Sequence, residues 1–104
     1  MLQSLFSIQL VPGTEEEYDR RHAVVWPDMV AALHECGIRN STGFRRGSEV
    51  FYYAECDPDP ITCYGRLEPM AVNQRWTANF EGIIAARLGS EGRFPFLSLV
   101  SHVD

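Results

Sequence analysis

The sequence predicts an α+β domain with the element order β-α-β-β-α-β. Three observations carry that prediction. The N-terminus alternates apolar and polar residues, two later stretches repeat apolar residues at helical spacing, and a hairpin pattern lies between them. Two helices cover one face of the resulting four-stranded antiparallel sheet, which is the split arrangement of ferredoxin-like folds.

The first strand lies within Met1–Val11, with Leu2, Phe6, Ile8 and Leu10 on one face. Pro12-Gly13 turns the chain. Thr14 and Glu17 have the spacing of a capping box, and the helix they open carries Tyr18, His22, Val25, Trp26, Met29, Leu33 and Cys36 on one stripe. Pro27 removes a backbone donor and predicts a kink or break near Val25–Trp26, and Gly37 is a left-handed stop. Residues 38–46 form a weaker strand, Arg46-Gly47-Ser48 a turn, and Glu49–Asp57 the clearest strand of the chain. Asp59 caps a short helix from Pro60 to about Arg66. A longer helix starts at Pro69 with the stripe Val72, Trp76, Phe80, Ile83 and Ile84, and Gly89 is expected to stop it. The last strand is expected at Phe94–Val103, with Phe96 and Val100 on one face and Leu97 and Leu99 on the other. Both faces of that strand are apolar, so the sheet needs a second cover, and a second copy of the chain is the expected partner in a homodimer.

Residues 1–104 read as a single domain, without repeats or linkers. All nine basic residues are arginines against fourteen acidic residues, a net charge of −5. The absence of lysine removes a Schiff base, a pyridoxal phosphate anchor and a P-loop amine. No basic stripe is available for nucleic acid. Cys36, Cys56 and Cys63 make no Cys-x-x-Cys pair, which favours a reducing compartment and no metal site. With no signal-like N-terminus and no long apolar run, the expectation is a soluble cytoplasmic protein away from membranes.

Tyr18, His22 and Trp26 are spaced by four, so successive members advance only about 40° around a helix and share a face. That stripe is either the core side of an amphipathic helix or a site offering a phenol, an imidazole and an indole, the imidazole titrating near neutral pH. Trp76 is either a core residue packed with Phe80 or a stacking platform for a sugar, with Gln74, Arg75 and Asn79 as donors. His34 and His102 are read as inert, Glu15-Glu16-Glu17 as complementing the helix dipole, and Phe51, Tyr52 and Tyr53 as ordinary strand formers.

Glu16-Glu17-Tyr18-x-Arg20-Arg21-His22-x-x-x-Trp26-Pro27, followed by Gln74-Arg75-Trp76, resembles the L-rhamnose mutarotase family over essentially the whole chain. The resemblance implies a dimeric α/β barrel of ferredoxin-like subunits that interconverts the α and β anomers of a deoxyhexose with no cofactor. It implies His22 as the proton donor, with Tyr18 and Trp76 contacting the sugar; Trp26 is either a pocket wall or core. Two positions depart from the family pattern: Ser41 stands where a sugar-binding tyrosine is expected, and Thr77 where a second tryptophan often follows Trp76. Both replacements are small and polar, so L-fucose or L-galactose is expected to rival L-rhamnose as the monosaccharide substrate. The competing classes are a haem-degrading or cofactor-independent monooxygenase of the same barrel type, with His22 as an axial ligand, and a non-catalytic sugar-binding dimer.

Overall fold

The computed structural model describes residues 1–88 and 96–104. In chain order the elements are β1 (Leu2–Leu10), α1 (Glu15–His22), α2 (Pro27–Glu35), β2 (Ile38–Arg46), β3 (Glu49–Cys56), α3 (Pro60–Leu67), α4 (Ala71–Ala78) and β4 (Ile84–Leu88). The strands form one antiparallel sheet in the order β2-β3-β1-β4. β1 and β2 are therefore separated by β3, as the split arrangement requires. Ile8 and Leu10 of β1, Ile38 of β2, and Val50, Ala54 and Cys56 of β3 meet Met29, Ala32, Cys36, Cys63, Leu67, Trp76 and Phe80 in a single core.

Pro27 breaks the first helical stretch in two, where its missing donor and the restriction on Trp26 predicted a break. It occupies the first turn of α2, where no partner for its nitrogen is needed, and Trp26 caps that helix with its carbonyl, which accepts from Met29 and Val30. Gly37 ends α2 with φ +91°, and a Cβ at that position would lie 2.2 Å from the Asp57 carbonyl oxygen, so the close approach also demands glycine. Asp59 caps α3 by accepting from the Thr62 amide at 2.8 Å.

Three expectations are corrected. Thr14 forms no capping box: its hydroxyl donates to the Val11 carbonyl at 2.7 Å, closing the preceding turn. Glu17 instead binds the guanidinium groups of Arg20 and Arg21, and the Thr14 amide that it would have met donates to the Val11 carbonyl. The second long helix, expected to run to a stop at Gly89, ends at Ala78, and Ile84–Leu88 is the fourth strand. Its cause lies outside the segment. The edge of β1 would otherwise leave its backbone groups unpaired, and Leu10 to Ser7 take Ile84 to Leu88 as partners. Phe80 and Ile83 remain buried, but from a turn rather than a helix. The expected strand Phe94–Val103 is not a strand over its described residues: Phe96 makes one bridge to Phe6, the Leu97 amide donates to the Leu5 carbonyl, and 98–104 enter no ladder. Gly89, and residues 94 and 95 of that segment, lie outside the described residues.

Candidate active site

A cavity of about 1290 Å³ opens between the helices and the inner face of the sheet. Its lining includes Tyr18 and His22 from α1, Ser41 from β2, Tyr52 from β3, and Trp76 and Thr77 from α4. β2 reaches it through an irregularity. Its pairing with β3 shifts between Arg39 and Thr42, and Asn40 takes φ +52°, a conformation asparagine tolerates better than most residues. The Asn40 amide is held by Glu55 at 2.7 Å, and Ser41 follows it into the cavity wall.

His22 is the last residue of α1 and sits within a ring of aromatic side chains. Its centroid lies 5.2 Å from Tyr18, 5.5 Å from Tyr52, 5.3 Å from Trp76 and 5.4 Å from Phe80, with the Trp76 indole edge-on. Burial is the larger influence on its pKa and lowers it below the ordinary imidazole value; a hydrogen bond to the backbone of His22 itself opposes the shift. The imidazole is therefore mainly neutral at neutral pH. Its Nε2 is 2.7 Å from the Tyr52 hydroxyl, which is in turn hydrogen-bonded to the Tyr18 hydroxyl. Burial, reinforced by Tyr18, pushes the Tyr52 phenol well above the usual tyrosine range, so it stays protonated and able to donate.

Asp19 and Arg45 close one side of the cavity. The guanidinium donates from Nε at 2.8 Å and from Nη2 at 2.6 Å, a two-pronged bond that ties α1 to β2 and holds the Asp19 carboxyl below its ordinary range. Among the described residues, no three His, Cys, Asp or Glu side chains converge where a metal ion would sit, and no helix is long and apolar enough to cross a membrane. What converges on the His22 imidazole is two phenols and an indole: groups that move protons and pack against apolar faces.

The fold brings three of the residues singled out from sequence, Tyr18, His22 and Trp76, to the same cavity. Trp26 packs edge-on against Trp76, centroids 5.0 Å apart, and is not among the residues lining the cavity. Of the donors placed beside Trp76, Gln74 lines the cavity, whereas Arg75 faces Asp28 of α2 at 3.4 Å and the Asn79 carbonyl accepts from Arg21. His34 is exposed where it reaches the cavity wall, and His102 is exposed and paired with Asp104.

Tyr52, by sequence an ordinary strand former, also lines the cavity. A signal for it exists, because Val50, Tyr52, Ala54 and Cys56 share one face of the strand and Tyr52 carries the only hydroxyl there. A buried phenol needs a partner.

A family model described as L-rhamnose mutarotase matches residues 3–95. The L-rhamnose mutarotase of Burkholderia ambifaria is 51% identical over 87 residues, which cover 84% of this chain and 82% of that protein. The L-rhamnose mutarotase of Acidiphilium cryptum is 37% identical over 76 residues, 73% of each chain. The crystal structure of an L-rhamnose mutarotase from Formosa agariphila superposes with a TM-score of 0.79 over the whole of both chains, at 16% identity. The tetracenomycin F2 cyclase of Streptomyces glaucescens, a type-II polyketide cyclase, superposes with a TM-score of 0.73 over 100% of this chain and 98% of that one, at 15% identity. Both structural likenesses are likenesses of fold.

Proposed function

The chain belongs to the L-rhamnose mutarotase family, and from that premise we propose that it interconverts the α and β anomers of an L-aldose by general acid–base catalysis without a cofactor. The observation that carries the reading is the neutral, half-buried His22 imidazole at the cavity, bonded to a phenol and edged by Trp76. Opening the hemiacetal takes a proton from the anomeric hydroxyl and puts one on the ring oxygen as the C1–O5 bond breaks and the carbonyl forms. A single neutral imidazole serves both needs: it accepts the anomeric proton and then delivers it to the ring oxygen. After rotation about C1–C2, the same transfers run backwards on the other face of the carbonyl. Tyr18 meets the sugar hydroxyls and Trp76 packs on its apolar surface, while Trp26 acts behind Trp76 by fixing that indole. Acid–base catalysis of this kind is worth about 10²–10⁴-fold, and positioning adds to it.

Ser41 and Thr77 both line the cavity, and each is shorter than the ring expected there by resemblance. The pocket is accordingly roomy and polar away from His22, which suits L-fucose or L-galactose as well as L-rhamnose. The protein works as a cytoplasmic homodimer in this reading, because Leu5, Phe44, Leu97 and Leu99 leave apolar surface exposed on one subunit. Magnetisation-transfer NMR of anomer exchange tests the proposal across L-rhamnose, L-fucose and L-galactose at equal concentration. Acceleration of at least one sugar, with L-fucose or L-galactose within tenfold of L-rhamnose, is the expected result. No acceleration of any aldose overturns the activity, and a lead of tenfold or more for L-rhamnose overturns the specificity argument.

A further inference from the structure

Tyr52 is held in place more tightly than a strand residue needs to be. Its ring stacks on Phe6 of β1, centroids 5.6 Å apart and 25° from parallel. On the other side, Gly43 of β2 lies opposite it in register, and a Cβ at Gly43 would come 2.6 Å from Tyr52 Cε1. Real Cβ atoms do not approach that closely, so the ring occupies the space any side chain at 43 would take. Packing alone does not explain the hydroxyl, since phenylalanine would fill the same volume and stack equally well on Phe6.

The hydroxyl sits between Tyr18 Oη and His22 Nε2. With Nε2 facing Tyr52, a ring proton on Nδ1 leaves Nε2 free to accept. In the neutral ring Nε2 is then the acceptor, Tyr52 donates to it, and the Tyr52 oxygen receives the Tyr18 hydroxyl.

We infer that Tyr52 is the positioning residue of this site: it fixes the His22 tautomer and links it to Tyr18 as a proton path, and Gly43 is glycine in order to seat its ring. The inference rests on the proton-shuttle reading of His22. A proton leaves the anomeric O–H for Tyr18 Oη, the Tyr18 proton moves to Tyr52 Oη, and the Tyr52 proton moves to Nε2. The imidazolium and the sugar alkoxide carry the two opposite charges. The three hops then reverse, the last proton going to the ring oxygen as C1–O5 breaks and C1=O1 forms. The chain ends in its starting state and needs no further reactant.

The groups that face His22 are Tyr18 on its own helix, Tyr52 on β3, and the uncharged Trp76 and Phe80 beyond α1; the Asp19–Arg45 pair, His34, Tyr64 and Glu68 line the same cavity. Exchange in the native protein is expected to fall as the pH drops through the lowered His22 pKa, because an imidazolium cannot accept.

Tyr52→Phe keeps the ring and removes the path. Its exchange rate is expected to fall at least about tenfold, and the remaining rate to lose the acid limb, because His22 no longer reports to the sugar. Nitrogen-15 chemical shifts of the imidazole give a readout independent of activity: the native protein is expected to hold the proton on Nδ1, and Tyr52→Phe to move population towards Nε2–H. Gly43→Ala, which retains the hydroxyl but displaces its ring, is expected to show the same two changes in smaller degree. A folded Tyr52→Phe protein within twofold of the native rate and with its acid limb intact overturns the proton path. An unchanged nitrogen-15 spectrum in Tyr52→Phe overturns the tautomer assignment and the positioning role with it. Full activity in His22→Ala would instead sink the shuttle reading on which this rests, and the nitrogen-15 comparison would still judge Tyr52.

Discussion

The corner around His22 and the C-terminal run from Leu97 to Val103 are opposites in composition and in surroundings. In the corner, polar groups are withdrawn from water and each is given a partner: imidazole to phenol, phenol to phenol. In the run, apolar groups are left in water, Leu99 at 67%, Val100 at 93% and Val103 at 90% exposure, with no ladder behind them. A buried polar group without a partner costs about 1–3 kcal/mol, so the corner's geometry is tightly specified. An exposed leucine carries no such directional demand, and its burial of about 1.5–3 kcal/mol is realised only when something covers it. The first region suits chemistry, the second suits assembly.

Substitutions that exchange the two behaviours test this contrast. The largest effect is expected at the corner. His22→Ala is expected to reduce anomer exchange by about 10²–10⁴-fold in a protein that still folds, with the thermal midpoint lowered by several degrees because the Tyr52 hydroxyl loses its acceptor. A folded His22→Ala protein that exchanges anomers at the native rate would return the stripe Tyr18–His22–Trp26 to plain core packing.

A smaller effect is expected from the run. Leu97→Asp with Leu99→Asp should shift sedimentation from dimer to monomer at micromolar concentration and leave each subunit folded, since both side chains are already largely exposed within one chain. A native protein that sediments as a stable monomer at that concentration would remove the assembly half of the contrast.

The smallest effect is expected at the Asp19–Arg45 pair, which is polar like the corner but solvated like the run. Arg45→Met is expected to lower the unfolding midpoint by only a few degrees at neutral pH, because exposed ion pairs contribute little. Asp19 has its pKa lowered in the folded state, so the contribution is present above the unfolded-state value and vanishes as the pH falls through the folded one. Melting curves of the two proteins should therefore converge in strong acid, and a gap that persists there would mean that Arg45 acts through packing.

Local chemistry was legible from the chain alone. Pro27, Gly37 and Asp59 act through backbone donors, backbone conformation and a side chain three residues away, so the break, the stop and the cap occur where those residues stand. The spacing of Tyr18 and His22 on one helical face is equally local, and it put both at the cavity. The element order also followed from local pattern, even though its last strand lies earlier in the chain than expected.

Other features depended on partners distant in sequence, and only the tertiary structure decided them. Ile84–Leu88 carries apolar residues that suit a helix or a strand, and the unpaired edge of β1 selected the strand. Trp26 shares a helical stripe with His22 in the sequence, but the break at Pro27 re-aims it onto Trp76. Tyr52 reads as a strand former until Phe6, Gly43, Tyr18 and His22, from three other elements, are brought around it. Periodicity states which face a residue occupies; only the packed sheet and helices state which groups that face will meet.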